Sequence, residues 1–322
     1  MTATRLPPRA SLLGNRRRLA DRAFHLGSWL SGAAVFVVLA LIAFTMTNRA
    51  WPALSAEGVS FVTSSRWAPS QDIYGALAFI SGTMLISLIA LALAVPVSIG
   101  IALFVSVIAP RWLRQPVVYL IDLLAAIPSV VFGLWGLLVV APVIVSFYDD
   151  VSRVLAPVPL VGGIFSGPVN GKSLFTAGMI LALMITPIVT SISREVFDTV
   201  PRSLKEAAWA LGSTRWEMIR GAVFPHSRDG VIGGVMLGLG RAMGETIAAA
   251  LVIGSSPQLT ARIFGSGDAM AAVIANQFGE AGGLHRSALI GLGVLLFLMT
   301  IVVNLIARAI VARQEARLAG LR

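Results

Sequence analysis

Six apolar stretches, each long enough to cross a bilayer, restrict how this chain can fold. They run approximately Phe24–Thr47, Ala76–Ile108, Val117–Phe147, Leu174–Ser193, Val231–Ser255 and Ser287–Ile310, against roughly 20 residues needed for one helical crossing. Only 12% of the residues are charged and 57% are hydrophobic, where a soluble domain carries roughly 25% charged residues. The pattern predicts an all-α polytopic membrane protein with six transmembrane helices. The second and third blocks are long enough to include tilt or interfacial turns.

The distribution of basic residues orients the chain. Arg5, Arg9, Arg16, Arg17, Arg18 and Arg22 precede the first block, and Arg111 and Arg114 follow the second. Arg194, Arg202, Lys205, Arg215, Arg220 and Arg228 lie between the fourth and fifth, and Arg308, Arg313, Arg317 and Arg322 close the chain. The alternate loops hold a thinner set, Arg49, Arg66, Arg153, Lys172 and Arg262. Both termini are therefore expected in the cytoplasm. Basic residues at cytoplasmic helix ends meet anionic lipid head groups, which accounts for the net charge of +10 without nucleic acid. The absence of cysteine excludes disulfides and thiolate metal sites. The first block is too long for a signal peptide and lacks a cleavage site, so it is read as a retained span.

This divides the chain into a basic arm, 1–23, expected to be disordered around Pro7 and Pro8, and a first span with its outside segment, 24–75. The aromatics of that segment, Trp51, Trp67 and Tyr74, are expected at the membrane interface. A transmembrane core follows over 76–310, with a cytoplasmic loop at 194–228, and then a cytoplasmic tail, 311–322.

Within that loop Glu206–Pro225 reads EAAWALGSTRWEMIRGAVFP. Good helix formers run from Glu206 to Leu211, Gly212 supplies a permissive hinge, and Ser213 or Thr214 can cap a second helix with Glu217 in its first turn. That helix must end or kink at Pro225, which has no amide hydrogen. A folded elbow with charged edges suits a soluble partner, although short helical hairpins are also common in loops without one.

The fifth block carries the most informative side chains. Arg241 and Glu245 are four apart, hence on one helix face. Counting from Asp229 at ~1.5 Å per residue puts Arg241 roughly 18 Å into the membrane, where arginine costs about 2.5–3.5 kcal/mol. In one reading Arg241 offers its planar fork of donors to a passing oxyanion, with Glu245 holding the arginine or tuning the site. In the other the two side chains pair with each other or with a neighbouring helix. Gly230, Gly234 and Gly238 permit close helix contact, with another subunit or within this one.

Other features are plainer. Asp122 reads as a solvated acid near the cytoplasmic end of the third block, and Pro128 with Gly133 and Gly136 as a bent, closely packed helix. Ser166–Ser173, SGPVNGKS, imitates a phosphate-binding loop, but the required first glycine is Ser166 and no apolar strand precedes it. His25, His226 and His285 have no neighbours at ligand spacing, so no metal site is expected. No nucleophile, base and acid assemble at a recognisable spacing, which argues against an enzyme.

The elbow resembles the EAA loop of ABC-importer permeases: EAA, then Gly212 four positions after its last alanine, then Pro225. Ala222 and Phe224 depart from the usual ending but stay apolar. Ala126–Gly136, Thr186–Phe197 with Val200 and Pro201, and Gly238–Thr246 narrow the likeness to the PstC-type permeases of bacterial phosphate ABC importers. Val107 and Asp122 stand where that family often has glutamate. The resemblance implies a MetI-like importer core in the last five helices and ATPase coupling through Glu206, Ala207, Ala208, Gly212 and Pro225. It implies a phosphate pathway that includes Arg241 and Glu245. It further implies a PstA-type permease as heterodimer partner, two copies of an ATPase subunit that carries the ATP and Mg, and an external phosphate-binding protein at the bacterial inner membrane. No cofactor is expected on this chain. A permease for molybdate or sulfate and a stand-alone anion channel are the alternatives.

Overall fold

The computed structural model describes residues 14–159 and 162–319; the proline-containing part of the basic arm lies outside them. Residues up to Asn48 form one compact unit and those from Arg49 a second. The described part of the first unit is a single helix, the start of α1 (Gly14–Glu57), which begins well before Phe24 and ends well past Thr47. The described part of the arm is thus helical rather than disordered. Arg16, Arg17, Arg18, Leu19 and Ala20 are all good helix formers.

In the second unit α2 (Ser60–Thr63) leads to a small hairpin, β1 (Trp67–Ala68) and β2 (Ile73–Tyr74). The strands are antiparallel, with Trp67 opposite Tyr74. Trp67 and Tyr74 are buried and meet edge to face at 5.1 Å, and the Trp67 indole N–H donates to Gln277 Oε1 at 3.1 Å. Of the three aromatics expected at the membrane interface only Trp51 is exposed, at 63%. The other two build a core of their own with Phe61 and Phe79. Arg286, at the start of the last helix, lies over the Phe278 ring at 5.1 Å.

The chain continues through α3 (Leu77–Leu103), α4 (Arg111–Ala126), α5 (Ser129–Trp135), α6 (Ala141–Leu155), α7 (Gly162–Phe165) and α8 (Leu174–Asp198). Then come α9 (Arg202–Ala210), α10 (Arg215–Met218), α11 (Phe224–Gly244), α12 (Ile247–Val252), α13 (Met270–Gln277) and α14 (Gly283–Ala319). Among the described residues five helical stretches are long and apolar enough to cross a membrane: Asp21–Glu57, Leu77–Ile108, Ser129–Leu155, Leu174–Asp198 and Gly283–Ala309. The third expected block is cut at Pro128, so its span is Ser129–Leu155 and α4 stands apart from it. The fifth expected block is cut at Glu245 into α11 and α12, which is why it fails as one continuous apolar helix.

The central column of this unit is α8. Its apolar window is 61% buried, against 33% or less in α3, α14 and Ser129–Leu155. Ile86, Ala90 and Ala94 of α3 pack on Ala177, Ile180, Leu181 and Met184 of α8. On the other side Gly230, Gly234 and Gly238 of α11 lie against Val196, Ile192 and Val189 of α8. The glycine stripe therefore serves contact within the subunit.

Candidate functional site: two broken helices and an elbow

Two helix breaks flank one contact. Pro128 forces the residue before it out of the α region, and Ile127 is extended, with ψ 127°. At the second break Glu245 is extended, with ψ 128°, and its carboxylate accepts from the Ala248 N–H at 3.3 Å. The glutamate thus terminates α11 and caps α12, where a negative charge is favoured. Beyond the breaks α5 and α12 touch. A methyl group on Gly133 would meet Ala248 Cα at 2.9 Å and Leu251 Cδ1 at 2.8 Å. Gly136 lies equally close to Ile180 and Val252. The bent, glycine-packed helix expected around Pro128 is present, and its neighbour is the other broken helix.

The break also separates the two residues expected on one face. Glu245 is 9% exposed and turned toward α12, whereas Arg241 is exposed in the last turn of α11. They form no ion pair; among the described residues the one salt bridge is Arg153–Asp150. The i,i+4 relation fails because helical geometry ends at Gly244. Arg241 instead lines a cavity of about 630 Å³ between α11 and α14, with Asp229, Asn304 and Arg308. Gly233 and Gly240 form part of its α11 wall, and a Cβ added to either would have nothing within 4 Å. Asn304 and Arg308 escape a reading of the sequence, which offers only an apolar block and a basic tail there; their i,i+4 spacing on α14 is the available signal.

Two loops close over the end of α12. Gly254 has φ +95°, and the Gly267 N–H donates to Ile253 O at 3.0 Å. The Asn170 and Phe175 amides donate to Phe264 O and Ile263 O at 3.0 and 2.8 Å, and Tyr148 stacks on Phe264 at 4.2 Å. The SGPVNGKS segment belongs to this closure: Ser173 caps α8 by accepting from the Thr176 N–H at 3.2 Å. Asp268 is 5% exposed, with its carboxylate accepting from the Ala269 N–H at 2.9 Å. Burial pushes its carboxyl up to about 6.

The elbow is two helices, as its sequence predicts. Gly212 has φ +78°, a left-handed conformation suited to glycine. The Gly212 N–H donates to Trp209 O at 2.9 Å and the Ser213 N–H to Ala208 O at 3.2 Å, the paired bonds of a Schellman stop. Thr214 rather than Ser213 caps α10, exchanging hydrogen bonds with Glu217 in a capping box. Those bonds from Thr214 hold the Glu217 carboxyl below its usual range. The chain neither ends nor breaks at Pro225. A π turn, Ile219–Val223, with the Phe224 N–H donating to Ile219 O, delivers it into the first turn of α11, where proline is tolerated.

One face of the elbow is anchored and the other is bare. Met218, Ile219 and Val223 are buried with Ala102 and Leu103 of α3 and with Phe197 and Val200. The Ser106 hydroxyl donates to Arg194 O at 3.4 Å. Trp209, Leu211 and Trp216 are 51%, 87% and 61% exposed. Clustered exposed apolar side chains beside charged ones mark an interaction surface. Glu206 and Ala207 are exposed and Ala208 is half-buried.

Residues 94–320 match the family described as binding-protein-dependent transport system inner membrane component. Phosphate transport system permease protein PstC of Xylella fastidiosa (strain 9a5c) is 47% identical over 97% of this chain and 98% of its own length. The protein of the same name from Haemophilus influenzae is 44% identical over 87% of this chain and 90% of its own. PstC 2 of Mycobacterium tuberculosis is 41% identical over 91% and 92%. Among solved structures, a bacterial ABC transporter involved in import of the acidic polysaccharide alginate aligns with TM-score 0.57 at 17% identity. That alignment covers 92% of this chain and 99% of the other. An inward-facing MetNI methionine ABC transporter aligns with TM-score 0.54 at 17% identity, over 77% and 99%. At that identity the structural likeness speaks to fold alone.

Proposed function

Because the chain belongs to the family of binding-protein-dependent transport system inner membrane components, we propose that it is a permease subunit of an ATP-driven inorganic phosphate importer and supplies half of the translocation pathway. Its family consists of membrane transport components rather than enzymes. In this reading the other half is a PstA-type permease, two ATPase subunits carry ATP and Mg²⁺, and an external phosphate-binding protein delivers the ion. Both termini and the elbow face the cytoplasm of a bacterial cell.

The observation that carries the substrate class is Arg241. It stands roughly 18 Å along α11 from Asp229, has no ion-pair partner among the described residues, and lines an open cavity. An intramembrane guanidinium free of structural pairing is available to an anion, and its planar fork suits a tetrahedral oxyanion. The near full-length likeness to phosphate permeases supports phosphate over other oxyanions.

The mechanism is alternating access. ATPase closure displaces the elbow through its exposed Trp209, Leu211 and Trp216. Met218, Ile219 and Val223 carry that displacement into the ends of α3 and α8, and the π turn carries it into α11. At the two breaks the α5–α12 pair can shift relative to α4 and α11, because no continuous helical hydrogen bonding resists it there. Glu245 acts as a positioning residue that holds the second break. The ATPase biases these states only through contacts that differ between them.

The test is phosphate uptake by the complete complex in proteoliposomes. Arg241→Ala is expected to abolish uptake while the complex still co-purifies intact. Undiminished uptake by that variant, or preferential transport of molybdate or sulfate by the wild type, would overturn the reading. Conductance without ATPase would point to a channel instead.

A further inference from the structure

The cavity that holds Arg241 has a second basic end, which the pathway role of Arg241 leaves without a purpose. On α14 it is lined by Asn304 and Arg308, one helical turn apart on one face. On α11 it is lined by Asp229 as well as Arg241. The charged groups facing it are therefore two guanidiniums and one carboxylate. Arg308 makes no salt bridge with Asp229 among the described residues. Asn304 is half-buried, and its amide donates to Thr300 O at 2.9 Å, which leaves its carbonyl and a second amide hydrogen for other partners. The volume of about 630 Å³ falls within the range of small-ligand sites, about 300–1,000 Å³. Along α11 the bare positions of Gly233 and Gly240 keep the wall low between the two ends.

We infer that Arg308 and Asn304 form a second oxyanion station, one step beyond Arg241 toward the cytoplasm, that receives a phosphate group. The inference rests on the orientation given under the proposed function, in which α11 runs away from the cytoplasm and α14 returns to it. Asn304 then stands deeper than Arg308, and Arg308 lies at the level where the cavity opens. Two stations of different depth, with Asp229 weakening the one nearer the cytoplasm, suit an ion that must be held and then released. Transit through a pore requires sites that are several and weak rather than single and tight. The shared chemistry is a phosphoryl oxyanion, carried either by free phosphate or by the head group of an anionic phospholipid entering at the same level.

The experiment uses the complete complex in nanodiscs and proteoliposomes, with radiolabelled inorganic phosphate as probe and phosphatidylglycerol as the lipid arm. Arg308→Gln is expected to lower phosphate retained by the complex, without the external receptor, by about tenfold or more, and to slow uptake with little change in KM. The size follows from the loss of one charge-assisted contact of about 1.5–3 kcal/mol. Asp229→Asn is expected to increase retention, a change of opposite sign that misfolding does not produce. Arg308→Lys, which keeps the charge, is expected to restore most of the uptake. Loss of phosphate retention and uptake assigns the station to the transported ion. Loss of co-purifying phosphatidylglycerol with unchanged uptake assigns it to a lipid head group. If Arg308→Gln changes neither, the station does not exist, whatever Arg241→Ala does. Failure of the wild-type complex to transport phosphate defeats the proposed function and leaves the retention result to be read separately.

Discussion

A single methyl group at Gly133 should force the two broken helices apart. The ideal Cβ of Gly133→Ala lies 2.8 Å from Leu251 Cδ1 and 2.9 Å from Ala248 Cα. The leucine tip can swing aside, but the Ala248 Cα is backbone, and α12 must move to relieve it. Overpacking of this kind costs about 1–3 kcal/mol, against about 0.5–1 kcal/mol gained by replacing glycine with alanine inside a helix. The net loss is up to about 2.5 kcal/mol. It falls on the seam where the segments beyond the two breaks meet, so transport should suffer along with stability. Gly100→Ala is the matched control. Gly100 is also within a helix, α3, but nothing lies within 4 Å of its Cβ position, so only the gain of about 0.5–1 kcal/mol remains. Melting of the complex in nanodiscs, read beside phosphate uptake, distinguishes the two. Gly133→Ala is expected to melt earlier than the wild type and Gly100→Ala no earlier. If Gly133→Ala melts at or above the wild type, the close contact between α5 and α12 is wrong.

Gly212→Val places a β-branched side chain at φ +78°, where even an unbranched L-residue loses about 1–2 kcal/mol, and so disturbs the Schellman stop that sets the elbow angle. ATP hydrolysis by the reconstituted complex should continue while uptake per ATP falls, and a normal ratio would argue against a fixed elbow. Asp268 supplies a pH test. Its folded pKa of about 6 lies above the ~3.9 of an unfolded aspartate. The folded state therefore binds the proton more tightly. This contribution to stability is complete below about pH 4, declines as pH rises, and is gone once pH passes about 6. Asp268→Asn, which can still accept from the Ala269 N–H, should raise the melting temperature near neutral pH and flatten the decline between about pH 4 and 6. A variant that melts lower than the wild type near neutral pH would show that the carboxylate is needed in its charged form.

Much of the membrane architecture follows from sequence because lipid tolerates few alternatives. A long apolar run must become a helix that bonds its own backbone, which places the spans Leu77–Ile108, Leu174–Asp198 and Gly283–Ala309 within a few residues. The elbow was equally legible, since its helices are set by local chemistry: Gly212 for a left-handed stop, the Thr214–Glu217 box for a start, good helix formers between. Pro128 announced its own break in the same way, through the missing amide and the crowding of the residue before it.

What only the tertiary structure decided concerns contacts between segments distant in the chain. Glu206 to Pro225 can be read locally, but nothing local says that Met218, Ile219 and Val223 find Ala102, Leu103 and Phe197. Trp67 and Tyr74 look like interfacial aromatics until α13 and α14 provide a buried place for them. The break at Glu245 has no proline to signal it, because it depends on a carboxylate turning back to cap the next helix. With it went the shared helix face expected of Arg241 and Glu245, since i,i+4 neighbours meet only while the helix lasts. The partners of Arg241 across the cavity come from α14, and spacing along one helix cannot identify side chains supplied by another.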